Sequence, residues 1–123
     1  MGIENIKGLD VKKGLAIVGN NKSVYLRLLN SFINNDFCNQ IINAVNGGEL
    51  EQVRHTAHSL KGVAGNLHMG ELYEISRLIE TDAREGAAVS VTDDNIARLI
   101  DVNNEVMESI NLLIAKPEIM DSI

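Results

Sequence analysis

Glu51-Gln52-Val53-Arg54-His55-Thr56-Ala57-His58-Ser59-Leu60-Lys61-Gly62-Val63-Ala64-Gly65-Asn66-Leu67 carries apolar residues at three- and four-residue intervals, the period of a helix with one buried face. At about 100° per residue, Val53, Ala57, Leu60, Ala64 and Leu67 gather on one side. Glu51, Arg54, His58, Lys61, Gly62 and Gly65 fall within roughly 60° of His58 on the opposite side. The first arc predicts the core face, and the second places His58 in solvent.

The same period runs outward in both directions, and no segment of useful length alternates with period two. An all-α fold follows. Asp10 is expected to cap a short helix over Val11 to Ile17 that stops at Gly19. A second helix runs from Lys22 to Asn34 and buries Val24, Leu28, Leu29 and Phe32. Asp36 is expected to cap a third carrying Phe37, Ile41, Ile42 and Val45, broken by Gly47-Gly48. The fourth runs from about Glu49 to Leu67. Leu72, Ile75, Leu78, Ile79 and Ala83 form a fifth stripe closed by Gly86. Thr92 is expected to cap the last helix, in which Ile96, Leu99, Ile100, Val106, Met107, Ile110, Leu113 and Ile114 follow the spacing of a bundle helix, with Pro117 ending it. The predicted architecture is an up-and-down antiparallel four-helix bundle with a short additional N-terminal helix, one domain over 1–123 with its core at about 8–115.

Composition narrows the function classes. With 45% hydrophobic residues in 123, a single core forms without staples. A net charge of −6 argues against nucleic acid, whose phosphates need clustered cations. No apolar run reaches the roughly 18–20 residues that span a bilayer, and the stretch from Met1 to Asn5 lacks a basic segment followed by an apolar one, so a cytoplasmic protein without a membrane partner is expected. Cys38 is the only cysteine; flanked by Phe37 and Ile41 it reads as a small buried thiol. Trp is absent and aromatics make up 3%, so the core is aliphatic.

An exposed glycine within a helix costs about 1 kcal/mol relative to alanine, and Gly62 and Gly65 follow His58 on its own face. Their bare surface lets another protein's backbone approach the imidazole. An imidazole that is neutral at cytosolic pH is a nucleophile, and its ring nitrogen can attack phosphorus to give phosphohistidine. Lys61 beside it, and Arg54 a turn before, are candidates to neutralise phosphate charge. The alternative reading, solvated charges or helix pair partners of Glu51, weighs more for Arg54 than for Lys61.

The run from Arg54 to Leu67, with His58-Ser59-Leu60-Lys61-Gly62 at its centre, resembles the His-x-Leu-Lys-Gly signature of the histidine-containing phosphotransfer (HPt) domains. Gly14-Leu15 through Asn21, and the Tyr25-to-Phe32 helix, are similar to the family's N-terminal region. The resemblance implies that His58 is the phosphoacceptor, that Lys61 steadies the phosphoryl group, and that Gly62 clears room for the partner, with Gly65 at a position usually held by a small residue. Glu51 and His55 are expected on the same docking surface. The implied activity is to accept a phosphoryl group from a receiver-domain aspartate and pass it to another, with no independent turnover. The implied partners are response regulator receiver domains and a sensor or hybrid histidine kinase; Mg²⁺ would come from the receiver, so no cofactor and no metal site of its own are expected, and a monomer suffices. One departure is His68-Met69, where members commonly have Gly-Ala; His tolerates positive φ better than branched residues, and Gly70 is expected to share the turn.

Rival readings are a detached phosphotransfer domain of a chemotaxis-type kinase, and a phosphotransfer-inactive interaction module. A sensor-kinase dimerisation helix is disfavoured, because the acidic residue and proline that typically follow its histidine are missing. A metal-binding bundle would use His55, His58 and His68 with Glu51, but His68 lies on the opposite side of the wheel.

Overall fold

The computed structural model describes residues 2–123, and among them all regular structure is helical: α1 Val11–Ile17, α2 Lys22–Asn35, α3 Phe37–Asn46, α4 Leu50–Asn66, α5 Gly70–Arg84 and α6 Asp94–Ala115, with 3-10 helices at Ile3–Asn5 and Pro117–Ser122. Side-chain caps start three of these helices. The Asp10 carboxylate accepts the Lys13 amide at 3.1 Å, Asn21 accepts that of Val24 at 3.1 Å, and Asp93 accepts that of Asn95 at 2.9 Å. Each satisfies an amide that the first turn leaves without a partner.

Two expected caps are corrected. Asp93, not Thr92, caps α6; the Thr92 amide is itself bonded to the Ser90 hydroxyl in the preceding turn. Asp36 stands at the start of α3, but its side chain bonds no backbone amide there. It adopts a left-handed conformation (φ 52°), and its carboxylate accepts from the Asn39 side chain. That single residue breaks what would be one long helix into α2 and α3, both of which pack on α6.

α3 packs on α4, α4 on α5, α5 on α6, and α6 back on α3, closing a four-helix ring. The α3–α4 and α4–α5 connections are a few residues long, which forces antiparallel neighbours. Val53, Ala57, Leu60 and Ala64 of α4 meet Leu72, Ile75 and Ile79 of α5 and Ile96, Leu99, Val106, Ile110 and Leu113 of α6 in one aliphatic core. The α4 face is the predicted one.

In α2 the buried stripe is Tyr25, Leu29 and Phe32; Leu28 is exposed and Val24 half-buried, contrary to expectation. The selector is Gly14 of α1. A Cβ there would lie 2.6 Å from the Tyr25 ring, so the bare glycine lets the tyrosine in. In α6, Ile114 is exposed and Ile100 and Met107 half-buried, while Val102 joins the core. The core also extends past 115. Pro117 ends α6 as expected, but the chain then turns back and buries Ile119 and Met120. At the other end the Ser109 hydroxyl donates to the Lys7 carbonyl (2.6 Å) and accepts the Lys7 amide (2.8 Å), fastening the N-terminal segment to α6.

At the α4–α5 turn His68 itself takes positive φ (56°), and Gly70 takes no share. Its carbonyl accepts the Asp10 amide at 2.9 Å, tying α1 to the turn.

Candidate functional site

α4 and α5 make the most extensive helix pair of the molecule, and the site forms along their outer seam. His58 projects from α4 with 63% of its side chain exposed. Its Nδ1 lies 2.7 Å from Glu80 Oε2 on α5. The Glu80 side chain is 3% exposed, and a carboxylate so buried stays ionised only when paired. Lys61, one turn after His58 and itself 24% exposed, places Nζ 2.6 Å from Oε1, and Arg84 Nη2 reaches Oε2 at 3.3 Å. The Lys61 contact is an ion pair whose alignment falls short of a hydrogen bond.

Burial pushes the Glu80 carboxyl up, but the close Lys61 ammonium and the His58 bond outweigh it and hold the group down at about 2. At neutral pH it is an acceptor only. The shared proton therefore sits on His58 Nδ1, and a neutral ring carries its lone pair on Nε2, which no group among the described residues engages. The ring is fixed in tautomer and orientation by one bond on its inner edge. A nucleophile results on the outer edge.

Lys61 is thus engaged with Glu80 rather than standing free for a phosphate. Arg54 likewise binds Glu51 across one turn of α4, which holds the Glu51 carboxyl below its usual range; the helix-pair reading is the one realised. His55 is exposed beside them. Gly62 is open: a Cβ there would meet nothing within 4 Å. Gly65 differs, because its Cβ would lie 3.3 Å from Cδ2 of Tyr73, so the bare helix surface there seats an α5 ring. His68 lies at the turn, away from His58. Among the described residues no three His, Cys, Asp or Glu side chains group as metal ligands, so the four residues of the metal reading do not converge.

Glu80, Arg84 and Tyr73 were not singled out from the sequence. The one signal for Glu80 was its place at the flank of the stripe formed by Leu72, Ile75, Ile79 and Ala83, one turn after Ser76, which is also buried.

The family model of the Hpt domain matches residues 34–110, more than half the chain, and takes in His58, Lys61, Glu80 and Arg84 together. The chain belongs to the Hpt domain family. It is a histidine phosphotransfer protein of a two-component phosphorelay, a class that works with receiver domains and histidine kinases. Among solved structures, histidine-containing phosphotransfer protein B from Pseudomonas aeruginosa PAO1 shares the fold, with a TM-score of 0.70 and 23% identity over 94% of this chain and 96% of that chain. A search of curated proteins gives no match. No helix among the described residues of this Hpt domain is long and apolar enough to cross a membrane.

Proposed function

We propose that His58 Nε2 is the phosphoacceptor, taking the phosphoryl group from the aspartate of one receiver domain and passing it to the aspartate of another. The observation that carries this reading is the bond between the exposed His58 ring and the buried Glu80 carboxylate. In the accepting step the Nε2 lone pair attacks phosphorus; the N–P bond forms as the P–O bond to the partner's aspartate breaks, and that electron pair leaves with the carboxylate. No proton moves. The product is a phosphoimidazolium whose Nδ1–H remains against Glu80, and the ring is ready to leave when the next aspartate attacks.

A receiver would supply the acidic pocket and a Mg²⁺ able to offset phosphoryl charge; this chain contributes the placed nucleophile. Gly62 offers the open surface that close approach requires, and Glu51, Arg54, His55 and Gly65 rim it. The protein acts in the cytoplasm as a monomer, through a small transient interface.

The test is to incubate the chain with phosphorylated receiver domains and measure acid-labile, alkali-stable label. His58→Gln is expected to abolish it, and His55→Gln to retain it. Equal labelling of the His58→Gln variant would overturn the assignment.

A further inference from the structure

Three side chains converge on the Glu80 carboxylate, and they do not hold it equally. Oε1 has Lys61 alone, at 2.6 Å; Oε2 is shared by His58 Nδ1 at 2.7 Å and Arg84 Nη2 at 3.3 Å. Charge-assisted N–H···O bonds run at about 2.7–2.9 Å, so the Arg84 contact is the slack one. Arg84 is also 57% exposed where Lys61 is 24%, and it stands on the last turn of α5, four residues after Glu80.

Removing either cation has different consequences. If Lys61 left, Oε1 would be a buried anionic oxygen with no partner, a costly state. If Arg84 left, Oε2 would keep its bond to His58 and the carboxylate its cation. Lys61 and Arg84 together carry two positive charges against one on Glu80, so the second cation is surplus until another anion arrives. Arg54, one turn before His58 on α4, is taken by Glu51.

We propose that Arg84 is the phosphate-holding cation of this site: when His58 carries the phosphoryl group, Arg84 exchanges its long contact with Glu80 Oε2 for phosphate oxygens, and Lys61 stays on Glu80. A guanidinium presents paired N–H donors in a plane, which suits two phosphate oxygens at once. Arg84 makes and breaks no covalent bond. It holds the phosphohistidine side of the transfer equilibrium while Lys61 preserves the carboxylate that orients the ring. The proposal rests on His58 being the acceptor.

The experiment loads the wild type and the Arg84→Ala, Arg84→Lys and Lys61→Ala variants with a phosphorylated receiver domain. It reads the phosphohistidine ³¹P resonance, the equilibrium distribution of label between the two proteins, and the urea midpoint of each variant. Arg84→Ala is expected to fold like the wild type and to take label on His58. Its ³¹P resonance should move, and its equilibrium should shift about tenfold toward the receiver, the worth of one charged contact. Arg84→Lys is expected to recover part of both, and Lys61→Ala to lower the urea midpoint. A wild-type resonance and distribution in Arg84→Ala, with both changed in Lys61→Ala, would make Lys61 the phosphate cation and overturn the proposal. Wild-type protein that takes no label on His58 would overturn the acceptor assignment itself, and the Arg84 role with it.

Discussion

Glu80 lies 22 residues beyond His58 in the chain and 2.7 Å from its Nδ1 in space. This contact joins α4 to α5 and gives the imidazole one fixed tautomer, because a carboxylate held at about 2 accepts and never donates at neutral pH.

Replacing that carboxylate with its neutral amide should slow phosphotransfer in both directions. Glu80→Gln keeps the shape but loses the charge that holds the proton on Nδ1, so His58 becomes a weaker nucleophile and its phosphorylated ring a poorer leaving group. A loss of about tenfold in each rate constant is expected, corresponding to about 1.4 kcal/mol of barrier. Rapid-quench measurement with a labelled receiver reads it, and wild-type rates in both directions would remove Glu80 from the mechanism.

The same carboxylate makes stability depend on pH. Its folded value of about 2 lies below the ordinary 4.5, so the unfolded chain takes up the proton first. The contribution is complete above about pH 5 and disappears as pH falls through 4.5 toward 2, on the order of 3 kcal/mol in all. Urea unfolding of wild type and Glu80→Gln across this range should show the two curves converging in acid. Parallel curves would mean that the pairing carries no net stability.

The two site glycines should respond differently to alanine. Gly62→Ala meets open space and is expected to raise stability by about 0.5–1 kcal/mol through helix propensity while slowing transfer from the receiver. At Gly65 the added methyl sits 3.3 Å from Tyr73, and the gain should shrink toward zero, returning in a Tyr73→Ala background. Thermal unfolding of the four variants gives the coupling directly. Equal gains at both positions would show that Tyr73 gives way freely.

His68 holds a left-handed backbone (φ 56°) that costs a side chain roughly 1–2 kcal/mol. Part of that gain is offset by the extra freedom glycine has in the unfolded chain. His68→Gly should therefore stabilise the protein by about 0.5 kcal/mol, with phosphotransfer unchanged, since the residue is remote from His58. A lower melting temperature would mean that the side chain contributes more than the strain costs.

The helices and the exposed histidine were legible because both follow from period and phase within one segment. His58 lies opposite Val53, Ala57, Leu60 and Ala64 whatever packs on them. The phase of α2 was not so fixed: Val24 with Leu28, and Tyr25 with Leu29 and Phe32, are both helical stripes, and a glycine on another helix chooses between them. Glu80 was hidden for the same reason. A charged residue at the flank of an apolar stripe reads as solvated until a second helix brings a lysine and a histidine to it. Lys61 follows His58 by one turn in sequence, but its ammonium meets a carboxylate that only the facing helix brings to it.

The 3-10 helices at the two ends of the chain touch each other, and Ile3 and Ile123 share a groove with His68 at the α4–α5 turn. Both ends thus emerge side by side at one pole, while His58 stands about 15 Å further along α4 at 1.5 Å per residue. The fold has the geometry of a cassette. Joining the ends by a short linker and opening the chain between α5 and α6 would leave every helix of the ring in place, and a domain attached at either end would hang below the His58 face without crossing it.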